Sequence, residues 1–262
     1  MAAWIVSEME LLGIDTRLKH LGKEEGTELD LPPIVTGRLG TDPAKPTILV
    51  YSHYDVQPAS VHDGWDHDPW DLTIDADGTM HGRGTSDDKG PLLNWLNTIE
   101  AFRHAGEEIP VNILFCFEGM EESGSIGFRS AVKDEATVYF RDVDAVCITD
   151  TVWASDTQPS VTRGLRGVLF YVLSIAGAEK DAHSGGFGGA ISEPMTDMVN
   201  IMASLVDSKG KLLIPGVYDA IHIVTEEERE SYRKMNITKE ALAGGAGGRC
   251  LHEGQADMLI SR

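Results

Sequence analysis

The chain has 262 residues, 42% of them hydrophobic, enough to bury a core in one large domain with a smaller companion. Its 42 acidic against 22 basic residues give a formal charge of −20, which repels nucleic-acid phosphates and anionic lipid headgroups and argues against either as a partner. A solvated acidic surface accounts for most of that charge, and only the clustered carboxylates need a separate explanation.

In chain order, residues 3–13 carry helical spacing with Trp4, Met9 and Leu12 on one face and Gly13 as a stop. Short, nearly continuous apolar runs at 47–53, 111–117 and 144–149 predict strands. Between the first two, Leu92, Trp95, Leu96, Ile99 and Phe102 recur at three- and four-residue steps and predict a helix over 89–104. Strands apolar on both faces with helices between them indicate an α/β fold, a mostly parallel sheet flanked by helices. After about residue 162 the character changes, which divides the chain into 1–162 and 163–262. Residues 167–176 read as a longer strand, followed by the glycine-rich turn 181–189 and a helix over 194–207 whose methionine stripe is ordinary core packing. A charged, exposed helix is expected over 225–242, then a flexible Ala243-Gly-Gly-Ala-Gly-Gly loop.

Cys116, Cys147 and Cys250 have no C-x-x-C spacing and read as reduced thiols, not as a disulfide frame or a thiolate zinc site. The N-terminus lacks a basic leader and no apolar stretch has the length of a membrane span, so a cytoplasmic protein is expected.

His53 and Asp55 sit at the end of the first apolar run, Glu121 and Glu122 follow the second, and Asp150 closes the third. Open α/β sheets place their sites beyond the carboxyl ends of the strands, so these groups share one rim. Asp87 lies in the glycine-punctuated loop His81-Gly-Arg-Gly-Thr-Ser-Asp-Asp-Lys-Gly, which can deliver it to the same place. Carboxylates gathered with a histidine repel one another unless a cation stands between them, which points to a metal-dependent hydrolase. Nitrogen and oxygen ligands without thiolate suit zinc and manganese alike.

The segments His53-Tyr-Asp-Val-Gln-Pro, Gly82-Arg-Gly-Thr-Ser-Asp-Asp-Lys-Gly, Glu118-Gly-Met-Glu-Glu-Ser-Gly-Ser, Cys147-Ile-Thr-Asp and Asp181-Ala-His-Ser-Gly resemble those of the M20 metallopeptidases. Within that family the resemblance is strongest to the cytosolic nonspecific dipeptidases, carnosinase-like and Cys-Gly dipeptidases, and it runs from roughly residue 30 to 240. It implies a zinc-peptidase-like catalytic domain with part of an inserted α+β lid and dimerisation domain, a dipeptide substrate and a homodimer. It also implies two divalent ions, zinc or manganese, bridged by Asp87, with His53 and Asp150 on one and Glu122 on the other. Glu121 is then the general base, a choice over Glu122 that rests on the family pattern. Asp55 holds the imidazole of His53 in the tautomer that leaves a nitrogen for metal. His183 reaches from the lid toward the partner subunit's site to stabilise a developing oxyanion. His62, His67 and His81 fall in polar loops without metal spacing, and His20, His104, His222 and His252 read as solvated or structural.

Against the family pattern the chain ends at Arg262, within the lid and before a last histidine ligand and the residues that grip a substrate carboxylate. The expectation is therefore a shortened chain that binds metal weakly, with full activity belonging to a longer form. The alternatives are an N-acyl amino-acid deacylase of the same superfamily and an inactive dimerising fragment.

Overall fold

A computed structural model describes residues 1–151, 153, 159–162, 164–165, 167–208, 210–235 and 237–238. The chain forms two compact units, Met1–Val152 and Trp153–Arg262.

In the first unit, helix α1 (Ala2–Leu11) buries Ile5 and Met9, one turn apart, and stops at Gly13, whose φ of +69° no ordinary helix continues. Strands β1 (Asp15–Lys19), β2 (Ile34–Leu39) and β3 (Thr47–His53) follow, then a small hairpin of β4 (Thr73–Ile74) and β5 (Met80–His81). Helix α2 (Lys89–Ala105) leads to β6 (Asn112–Glu118), α3 (Phe128–Glu135) and β7 (Ala145–Ile148). The main sheet has the order β1-β2-β6-β3-β7. β3 pairs in parallel with both β6 and β7, whereas β2 runs antiparallel to β1 and β6.

The sheet is thus mixed, flanked by helices, and its parallel half is the part that the apolar runs announce. The antiparallel half was hidden in the sequence. β1 reads Asp-Thr-Arg-Leu-Lys, a charged edge strand, and charged edges resist pairing with other chains. β2 carries Gly37 at its centre, where a Cβ would stand 2.4 Å from the Met9 side chain; the glycine is what lets α1 lie on the strand.

β6 is the spine, with all seven residues buried. Phe115 and Phe117 join Ile5, Met9, Val35, Val50, Leu92, Leu96 and Ile99 in the larger core, and Cys116 joins Ile34 and Ala131 in a second cluster with Leu49, Phe128 and Phe140. The alternation follows from strand geometry, which sends successive side chains to opposite faces. Each fully buried phenylalanine removes enough apolar surface from water to contribute about 1.5–3 kcal/mol. Burial also pushes the Cys116 thiol up to about 12, with Glu118 adding to the shift, so it is held as an inert core thiol.

In the second unit, α4 (Ser184–Phe187), α5 (Pro194–Leu205) and α6 (Glu226–Arg233) are the helices among the described residues. The Glu193 side chain accepts from the Thr196 amide at the start of α5, and Thr225 accepts from the Glu228 amide at the start of α6. Three expectations need correction here. Residues 167–176 form no strand: Phe170 is 93% and Val172 94% exposed, because no described segment supplies a ladder. The stripe of α5 is not core, since Met195, Val199 and Met202 are all exposed. α6 ends at Arg233, well before residue 242, and residues 239–262, with the glycine-rich loop and Cys250, lie outside the described residues. No described helix is long and apolar enough to cross a membrane.

Candidate metal centre

The parallel strands end together. His53, the last residue of β3, is the register partner of Glu118, the last residue of β6, and Asp150 lies two residues past β7. Asp87 and Asp88 arrive from the loop before α2, and Glu121 and Glu122 open a short 3-10 turn after β6. Gly90 makes that first loop possible: a Cβ there would stand 2.0 Å from the Thr85 carbonyl oxygen.

His53 is fully buried, and carboxylates meet both of its ring nitrogens. Nδ1 lies 3.1 Å from the Asp55 carbonyl oxygen and 3.3 Å from Asp55 Oδ1. Nε2 lies 3.0 Å from Asp87 Oδ1 and 3.8 Å from Asp150 Oδ1, yet it has no aligned hydrogen bond. Burial alone lowers the basicity of this imidazole, but Asp88, Asp150, Asp55 and Glu121 together hold it above the ordinary histidine value.

The carboxylates are correspondingly uncomfortable. Burial, reinforced by Asp150, pushes Asp88 up to about 7 against the opposing pull of the His53 amide and ring. Burial likewise raises Glu121 and Asp150, with neighbouring carboxylates adding and His53 opposing. One oxygen of Asp88 accepts the His53 amide at 3.0 Å; the other is buried without a partner. One ligand atom each from His53, Asp88 and Asp150 lie within 4.8 Å of one another.

Asp55 does two things at once. Its carboxylate stands beside His53 Nδ1, and it accepts the backbone amides of Glu121 at 3.2 Å and Glu122 at 3.0 Å. The turn bearing the two glutamates is therefore tied to the residue that faces the histidine. The Gln57 amide reaches the same turn, donating to Glu122 Oε2 at 2.8 Å.

Of the residues singled out in the sequence, His53, Asp55, Asp87 and Asp150 gather at one imidazole, and Glu121 and Glu122 are fastened beside it through Asp55. His183 belongs to the second unit, where its exposed ring accepts the Gly185 amide at 3.0 Å at the start of α4. Two residues without an assigned role in the sequence reading stand out. Asp88 is fully buried next to Asp87, whose side chain is 59% exposed; adjacency in the chain gave no means of telling the inward from the rim-facing carboxylate. Glu118 is buried at the end of β6, accepting the Tyr51 hydroxyl at 2.6 Å and the Ser125 hydroxyl at 2.9 Å. Its signal was a carboxylate closing an otherwise apolar strand.

A buried imidazole nitrogen without a hydrogen bond, ringed by carboxylates that resist ionising together, fits a divalent cation with nitrogen and oxygen donors.

Comparison with known proteins agrees. The chain is 48% identical to Cys-Gly metallodipeptidase DUG1 of Candida albicans over 269 aligned positions, spanning 100% of this chain and 56% of that one. It is 42% identical to Beta-Ala-His dipeptidase of Mus musculus over 92% of its length and 49% of the relative's. The solved structure of the dipeptidase Dug1p from Saccharomyces cerevisiae superposes with a TM-score of 0.78 at 43% identity, covering 99% of this chain and 55% of the other. The chain thus spans about half the length of the curated relatives it matches. Residues 49–245 match the profile of peptidase family M20/M25/M40 and take in every residue of the centre, so the chain belongs to that family.

Proposed function

We propose that this centre serves metal-dependent hydrolysis of dipeptides by an activated water. The observation that carries the reading is the buried Nε2 of His53, which lacks a hydrogen bond and faces the carboxylates of Asp87 and Asp150. Two divalent ions, zinc or manganese, would be held by His53, Asp87, Asp150 and Glu122. Of the two adjacent aspartates, Asp87 would be the ligand, since its exposed side chain faces the rim while Asp88 is bonded to the His53 amide beneath. When bound, the ions polarise the peptide carbonyl and bring the pKa of a coordinated water toward neutrality.

The chain's own residues do the rest. Asp55 accepts from His53 Nδ1 and so leaves Nε2 as the ligand nitrogen. Glu121 takes the proton of the attacking water and returns it to the leaving amine; a carboxyl raised by burial is a stronger base than an exposed one. His183 stabilises the developing oxyanion across a homodimer interface, in the partner subunit's site. The protein works in the cytoplasm, on peptides and not on nucleic acid or membranes.

The test is calorimetric zinc titration of the chain and of Asp87→Ala and Glu121→Ala variants, with turnover followed on Cys-Gly, β-Ala-His and an N-acetyl amino acid. Asp87→Ala loses binding; Glu121→Ala keeps binding and loses turnover of the dipeptides. Preference for the N-acetyl amino acid favours a deacylase. Zinc binding that neither variant changes overturns the centre.

A further inference from the structure

The reactive pair Glu121-Glu122 sits on a turn, and the turn is fastened at both ends. At its start Glu118 is buried in register with His53. At its end Ser125 adopts a φ of +53°, the one non-glycine residue with positive φ among the described residues. A serine resists that conformation, so something must hold it there. Two bonds do: its amide donates to the Met120 carbonyl at 2.6 Å, and its hydroxyl donates to Glu118 Oε1 at 2.9 Å. The same Glu118 oxygen accepts the Tyr51 hydroxyl from β3 at 2.6 Å, so one carboxylate joins the histidine-bearing strand to the far end of the turn. Glu118 Oε2 is buried with no partner, and keeping a carboxylate there burdens the fold unless the tether is needed.

We propose that Glu118 is a positioning residue. Through Ser125 and Tyr51 it closes the turn 119–124 in the one shape that sets Glu121 and Glu122 against His53, complementing the hold of Asp55 on their amides. The inference rests on the metal-centre reading for its purpose, but the tether itself is a property of the metal-free chain.

Three variants test it. Ser125→Gly accepts the positive φ without penalty and deletes only the hydroxyl tether, so the fold survives. Glu118→Ala removes both acceptor contacts. Glu118→Gln keeps an acceptor oxygen for both hydroxyls and puts its amide nitrogen where Oε2 is unpartnered. Hydrogen exchange of the Glu121 and Glu122 amides in metal-free protein is expected to quicken about fivefold or more in the first two, the worth of one lost hydrogen bond, and to stay at the parent rate in Glu118→Gln. Zinc affinity is expected to fall about tenfold or more in the same two and to be rescued by glutamine. Parent-like exchange in Ser125→Gly and Glu118→Ala overturns the tether. Quickened exchange in a chain whose parent binds no zinc supports the tether and removes the hydrolase reading instead.

Discussion

Asp55 is the joint of the centre, and its removal has a calculable effect. Three donors face its carboxylate: the amides of Glu121 at 3.2 Å and Glu122 at 3.0 Å, and His53 Nδ1 at 3.3 Å. In Asp55→Ala the Nδ1 side of the imidazole retains only the Asp55 backbone carbonyl, and the glutamate turn loses the two bonds that its amides make to Asp55. Loss of a group that orients a ligand lowers metal affinity about 10- to 100-fold, or about 1.4–2.8 kcal/mol. Deleting one of several mutually repelling carboxylates also relieves charge in the metal-free fold, so stability changes less than affinity does. Asp55→Asn keeps one acceptor oxygen and falls between parent and alanine. Zinc competition against a chromophoric chelator at pH 7, paired with thermal unfolding of the metal-free protein, separates the two effects. Zinc affinity within twofold of the parent in Asp55→Ala refutes the assignment.

Gly90→Ala forces its Cβ to 2.0 Å from the Thr85 carbonyl, so the loop carrying Asp87 must shift by about an ångström; we expect a loss of about 1–3 kcal/mol and weakened zinc binding, and a parent-like urea midpoint contradicts it. Phe115→Ala, fully buried on the central strand, is expected to cost about 3–5 kcal/mol by urea denaturation, whereas Phe170→Ala, 93% exposed, stays within about 0.5 kcal/mol. The raised carboxyls set a pH dependence: Asp88, at about 7 in the fold against 3.8 in the unfolded chain, binds more protons when folded. Stability of the metal-free chain therefore falls as pH rises from about 4 to 7, and zinc, which displaces those protons, reverses the trend and binds more tightly at higher pH. Thermal midpoints at pH 5 and 8, with and without zinc, check the sign.

Much of this was readable because the parallel strands announce themselves. β3 and β6 are apolar runs that end in ionisable residues, Asp150 follows the apolar β7 by two positions, and a sheet rim is where such ends meet. β1 and β2 were not readable, because a charged edge and a central glycine erase the pattern that marks a strand. Spacing put His53 and Asp55 at the end of one apolar run, and their pairing came from the resemblance to the M20 family. That Asp55 also grips the backbone of Glu121 and Glu122 could not, since a backbone contact leaves no trace in residue types. The inward Asp88 and the rim-facing Asp87 look the same in sequence and differ only through the loop that Gly90 permits. Residues 167–176 show the opposite failure: their composition favours a strand, and a strand exists only when a neighbour pairs with it.

The most direct test of the centre is X-ray absorption of the zinc-loaded chain, beside a His53→Ala variant. A first shell of nitrogen and oxygen at about 2.0–2.2 Å with one imidazole per centre is expected, and no imidazole signal in the variant. Sulfur at about 2.3 Å, or an imidazole signal that survives the loss of His53, contradicts it.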